Sequence, residues 1–314
     1  MSNITSFKNR GDSASEHKLA VAAVVLAQVV WGLSFLFIDV ALRYTDTDVM
    51  LCIRFLLIFL LTNLMALSGK WKFSFRDKKL GPLLTLGLCQ AAYSLLESYG
   101  YKHSSATFAG VMLATTPIFS MVLAILLLGE YPRMKQALFS LIPIAGVILM
   151  TAYGRSLGIV QMLGVVLLTA CCISSALYKT FNRMAAQNYT PFERIYLVFM
   201  IPAVLYTVTA VMNSRGNYGR LIEPLTHPAF VFAVLYLAVG CSIVTNMLVN
   251  YAAGRMSVTA VSSLTSLNTL FSVLTGIFFL HEPFTIVTLL GCAMILIGVR
   301  LVTRNDEIVR KERK

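Results

Sequence analysis

The chain has 314 residues, of which 57% are hydrophobic and 13% charged, with a mean hydropathy of +0.76. A soluble domain carries about 45–50% apolar and about 25% charged residues, so this composition excludes burial in water and calls for lipid. The formal charge of +12 does not mark a nucleic-acid binder, because the basic residues sit between apolar runs and at the C-terminus.

Residues 1–18 read as a short cytoplasmic tail, and the apolar run that follows is too long for a signal peptide and lacks a small-residue cleavage site. Ten apolar runs come next, near 19–42, 49–67, 82–101, 104–128, 134–152, 158–182, 192–213, 228–250, 257–280 and 284–303. Each is about long enough to cross a bilayer as a helix. The third and fourth are parted only by Lys102-His103-Ser104-Ser105, which predicts a tight hairpin. Residues 304–314 read as a basic, disordered, cytoplasmic tail.

Placing the N-terminus in the cytoplasm puts 20 Lys and Arg in the inside segments and five in the outside ones, Arg43, Lys102, Arg155, Arg215 and Arg220. Basic residues concentrate on the cytoplasmic side, so both termini are expected there, in a plasma (inner) membrane protein.

The chain also repeats itself. Leu128-Gly129-Glu130-Tyr131-Pro132 and Leu280-His281-Glu282-Pro283-Phe284 close equivalent runs at an offset of 152 residues. At that offset Tyr99 meets Tyr251, Ser105 meets Ser257, Thr107 meets Thr259 and Phe119-Ser120 meets Phe271-Ser272. Two five-helix units are predicted, 19–152 and 158–303. Five crossings are an odd number, so the second unit is inserted upside down. Inverted repeats of this kind carry a substrate site between their halves.

No phosphate-binding Gly-rich loop, His-Glu-x-x-His or Gly-x-Ser-x-Gly is present, so neither an ATP motor nor a catalytic site is expected. The six cysteines all lie in apolar runs and lack metal-ligand spacing, which makes them small buried hydrophobes. No metal or cofactor is expected.

Several motifs, taken in order, resemble a known family. They are Trp31-Gly32-Leu33-Ser34-Phe35, Arg54-Phe55, Tyr101 to Thr107, Pro117-Ile118-Phe119, Leu126 to Glu130 and Ile144 to Leu149. The second unit adds Ala176-Leu177-Tyr178, Asn250-Tyr251-Ala252, Phe271 to Glu282 and Ile297-Gly298-Val299. The pattern is similar to the EamA family of the drug/metabolite transporter superfamily over roughly residues 19–303, and departs from it where Thr269 matches Pro117 and His281 matches Gly129. The resemblance implies an all-α membrane protein of ten helices in two inverted repeats that moves metabolites, amino acids or drugs, with export favoured.

Charged groups inside a bilayer are costly and should face a cavity or a partner. Asp39 and Arg54 fall near the outer ends of adjacent helices, where a mutual salt bridge or snorkelling competes with a coupling role. Gln90, Tyr93, Ser94 and Glu97 share one face of the third helix. Glu97 is read as either a substrate or proton site or the partner of Arg54. Trp31, Ser34, Tyr178, Asn246 and Asn250 complete a candidate substrate ring, with interhelical hydrogen bonding as the alternative for the two asparagines. Tyr44, Trp71, Tyr101, Tyr153 and Tyr218 read as interface anchors.

The reading is a secondary carrier for a small molecule, in contact with the lipid bilayer and free of nucleic acid, as a monomer or homodimer. A phosphorylated-sugar or nucleotide-sugar antiporter would want clustered cations, and only Arg54 and Lys179 are available, at opposite depths. A membrane enzyme or scaffold is the remaining alternative.

Overall fold

The computed structural model describes residues 18–67, 80–128, 134–156, 160–185, 188–253, 264 and 267–312. Among these residues there are helices and no strands. In chain order the long helices are α1 (Lys18–Leu42), α2 (Thr47–Leu67), α3 (Gly81–Lys102), α4 (Ala106–Leu113 and Thr116–Leu128) and α5 (Met134–Ser156). They continue as α6 (Met162–Ala185), α7 (Pro191–Ser214), α8 (Pro228–Leu235, a π-helical stretch Tyr236–Val244, and Thr245–Ala253), α9 (Leu267–Phe278) and α10 (Ile286–Glu312). A short helix, Gly219–Ile222, and a 3-10 turn, Glu223–Thr226, lie between α7 and α8.

Six of the helical runs are long and apolar enough to span a membrane, in α1, α2, α4, α6, α7 and α8. Shorter apolar stretches lie in α5, α9 and α10. The polar face from Gln90 to Glu97 sets α3 apart from the others. The predicted start of the ninth run, 257–263, lies outside the described residues. α10 continues to Glu312, where the sequence suggested a disordered tail. No Gly or Pro interrupts residues 299–312, so nothing ends the helix at the last apolar residue.

Local chemistry explains where helices start and break. Thr190 accepts from the Glu193 N–H at 3.3 Å while Glu193 Oε2 accepts from the Thr190 N–H at 2.9 Å, a capping box at the head of α7. α4 breaks at Ala114–Thr115. Pro117 has no N–H to give the Leu113 carbonyl, and the Thr116 hydroxyl donates to that carbonyl instead at 2.6 Å.

Lipid offers no hydrophobic drive for helix association, so contact is by shape and hydrogen bonding. α5 packs on α10, α4 on α9 and α2 on α7, while α3 packs on α6 and α8 on α1. Exchanging each helix of the first five for its counterpart in the second five maps this set of pairs onto itself. Outward faces are apolar, as Leu56, Leu60 and Leu64 recur every four residues on α2 with Val204 and Val208 on α7. The inward face of α2 buries Leu51, Phe55 and Ile58. Gly110 sits directly against Ser272, and Gly298 against Pro143, with no room for a Cβ at either glycine. Ala106, Gly110 and Ala114 recur every four residues on α4, a small-residue spacing that lets helices approach closely, and Gly110 makes such a contact. Ser262 and Ser266, 152 residues after Gly110 and Ala114, lie outside the described residues.

Candidate functional site

An acid and a base are buried together in the apolar interior. Glu97 on α3 is 7% exposed and Arg54 on α2 is 8% exposed. The two are electrostatic neighbours. Tyr93, one turn before Glu97, donates its hydroxyl to Glu97 Oε1 at 2.7 Å. The i, i+4 spacing makes that bond local to one helix face. Arg54 lies over the Phe55 ring, 5.6 Å from its centroid, and its buried Nε has no hydrogen-bond partner. A buried donor left unpaired is costly and usually has a reason.

Residues from the second half of the chain close around this pair. Cys241 of α8 lies within electrostatic reach of both Arg54 and Glu97. Cys171 of α6 donates to the Tyr93 carbonyl at 3.5 Å. Tyr206 of α7, near the same two charges, donates to the Ala91 carbonyl. Trp31 donates its indole N–H to the Cys241 carbonyl at 2.8 Å, which brings α1 to the same place. All six cysteines are free. Cys171 and Cys241, read from sequence as inert packing, border the charged pair. No group of three or more metal-ligating side chains occurs among the described residues.

The remaining candidates separate from this centre. Ser34 turns back to its own helix, donating to the Trp31 carbonyl at 2.7 Å. Gln90 donates to Ser94 Oγ at 3.2 Å on the α3 face. Tyr178 is half-buried against the core. Asn246 is exposed and donates to the Ser242 carbonyl at 2.6 Å, so its amide serves its own helix. Asn250 lies on α8, with its side chain outside the described residues. Asp39 takes Arg43 Nη2 at 2.7 Å and the Tyr101 hydroxyl at 3.0 Å, in place of the suggested bridge to Arg54. Asp39 and Arg43 are four residues apart and share a helix face, a closer partnership than one across two helices. Tyr101 is 9% exposed through this bond, which corrects its reading as an interface anchor.

The end of the bundle nearest the pair is densely tied across the two halves. Arg220 reaches Asp46 at 2.6 Å and Asp48 at 3.2 Å. His103 pairs with Gln161 at 2.7 Å. The Glu282 carboxylate accepts from the backbone N–H groups of Ala106 and Thr107. Thr275 donates to the Gly32 carbonyl at 3.1 Å, where α1 breaks. Sequence patterning offers no signal for the Glu282 contact, since it joins residues 175 and 176 apart.

Known proteins carry the same pattern. An uncharacterized transporter, YcxC, of Bacillus subtilis is 30% identical over 299 residues, covering 94% of this chain and 95% of the relative. A probable terminal-alkyne amino-acid exporter of Streptantibioticus cattleyicolor is 24% identical over 240 residues, covering 72% and 75%. A solved crystal structure superimposes with a TM-score of 0.62 over 94% of this chain and 99% of its own, at 16% identity, which speaks to fold alone. Residues 18–152 and 162–304 each match the EamA-like transporter family, and the chain belongs to that family.

Proposed function

We propose that the protein is a secondary carrier that exports a small polar or amphipathic organic molecule, such as an amino acid or related metabolite, across the plasma membrane. In this reading 19–152 and 158–303 are inverted five-helix units with both termini in the cytoplasm, and they rock to expose a central site to each side in turn. The observation that carries it is the buried Arg54–Tyr93–Glu97 group, enclosed by Cys171, Tyr206 and Cys241 of the other half. Intramembrane charges are costly and mark substrate or ion pathways. Trp31 supplies an apolar wall. The likeness to the probable amino-acid exporter of Streptantibioticus cattleyicolor supports amino-acid-like cargo and outward transport.

A phosphorylated-sugar antiporter is the weaker reading. Arg54 has an acid beside it, and Lys179 stands apart in the last two turns of α6, so among the described residues no cluster of free cations offers itself to phosphate. The test is counterflow with purified protein in liposomes preloaded with a mixed pool of amino acids, amphipathic metabolites and sugar phosphates. Protein-dependent exchange of one or more zwitterionic or amphipathic members is expected, and Glu97→Gln should abolish it. Exchange confined to sugar phosphates would overturn the assignment in favour of the antiporter.

A further inference from the structure

The Glu282 contact does more than end a helix. α9 stops at Phe278, and the chain turns back through His281, a non-glycine residue in the left-handed region at φ 53°. That turn is held by the Phe279 and Leu280 N–H groups on the Thr275 carbonyl, at 3.0 and 3.2 Å, and by the Glu282 N–H on the Gly276 carbonyl at 2.9 Å. It turns the Glu282 side chain back across Gly276 of α9 toward the head of α4. Oε1 receives the Ala106 N–H at 2.5 Å and Oε2 the Thr107 N–H at 3.0 Å. These are the first two N–H groups of α4, which have no partner inside that helix. Ser105 already caps the Phe108 N–H at 3.1 Å, so the helix end is served by its own side chain and by one from the other half. A carboxylate there also meets the positive end of the helix dipole.

The carboxylate has a built seat. A Cβ added at Gly276 would fall 2.5 Å from both Glu282 Oε2 and Thr107 Oγ1, so the glycine is what lets the side chain lie across the α4–α9 junction. One turn further in, Gly110 meets Ser272 in the same close contact. α4 and α9 are thus joined at this end by the Glu282 carboxylate and, one turn in, by the Gly110–Ser272 contact.

We propose that Glu282 is a gate latch: its carboxylate, clamped on the head of α4, holds this end of the transporter closed, and its release permits opening. The proposal rests on the carrier reading above but names a state that exists without substrate. Breaking two charge-assisted hydrogen bonds raises the open-to-closed ratio by about tenfold or more.

The experiment is distance measurement by double electron–electron resonance in nanodiscs, with no substrate added. Labels go on Lys102→Cys and Phe284→Cys, exposed positions at this end on opposite halves, in a background whose native cysteines are replaced. The unaltered Glu282 background should give one short, narrow distance. Glu282→Ala should add a longer population, and Glu282→Gln, isosteric and keeping one acceptor, a smaller one. Gly276→Ala, which leaves Glu282 intact but fills its seat, should resemble Glu282→Ala. Distributions for Glu282→Gln and Glu282→Ala that superimpose on the background overturn the latch. So does uniform broadening with loss of the monodisperse protein peak, because a residue needed only for folding is not a gate. A latch result with no flux of any solute would leave the gate standing and remove the carrier reading.

Discussion

Changing Glu97 to Gln removes a charge and keeps the shape. The amide oxygen of Gln can still accept from Tyr93, so the 2.7 Å bond survives. What is lost is the counter-charge to Arg54, 8% exposed and with its Nε already unpartnered. Arg54 and Glu97 are neighbours without a direct salt bridge, so stranding one costs less than the about 3–5 kcal/mol lost when a contacting buried ion pair is broken. A single charge near the middle of a membrane helix costs a comparable amount, about 2.5–3.5 kcal/mol. Glu97→Gln and Arg54→Gln should therefore each lower the thermal midpoint by roughly 10 °C in a chain of this size. The double variant strands no charge and should recover most of that loss, giving a coupling energy of about 2 kcal/mol or more. The assay is thermal aggregation followed by size-exclusion chromatography, run beside counterflow. Two additive single effects would refute the pairing. A double variant that is stable but inert in counterflow would show that the charges serve transport as well as packing. A Glu97→Gln protein with wild-type flux would refute a role for the acid in transport.

Two further outcomes follow from other parts of the structure. A reporter fused after Lys314 should read cytoplasmic, and a tag in the 214–227 loop should be reached from outside; a C-terminal reporter found outside would break the inverted-repeat topology, which is motivated by the distribution of basic residues. Gly110→Ala should cost about 1–3 kcal/mol, because its Cβ would enter the space of the Ser272 side chain, and Ser272→Gly should restore stability if that clash is the cause, as read by the same thermal assay.

How legible these features were in the sequence depends on their range. Helix positions were readable because about 20 apolar residues leave little choice of structure in lipid. The polar face of α3 was readable because Gln90, Tyr93, Ser94 and Glu97 recur at helical spacing. The Asp39–Arg43 bridge obeys the same spacing, but Arg43 falls at the polar end of its run, where the sequence alone does not tie it to Asp39. The borders of the charged centre were not readable. Cys171, Tyr206 and Cys241 are ordinary core residues by type, and only the packing of α6 and α7 on α3 and of α8 on α2 gives them their neighbours. Glu282 stood out as a repeated motif, yet its binding partner is two backbone N–H groups, which no residue identity announces.

The π-helical stretch Tyr236–Val244 bears on how this protein tolerates change in length. With i→i+5 spacing it holds an extra residue relative to an α-helix. The Cys241 carbonyl in it receives both the Trp31 indole at 2.8 Å and the Thr245 hydroxyl at 2.6 Å. Removing one residue from this stretch would let it relax to an α-helix. The register beyond Val244 would then be kept, whereas a deletion in the regular α-helical parts of α8 would rotate everything beyond it by about 100° relative to α1. Point substitutions there would test only side chains, most of them replaceable by other apolar ones. A scan of single-residue deletions should instead show an abrupt loss of folded protein in the regular parts of α8 and tolerance confined to Tyr236–Val244.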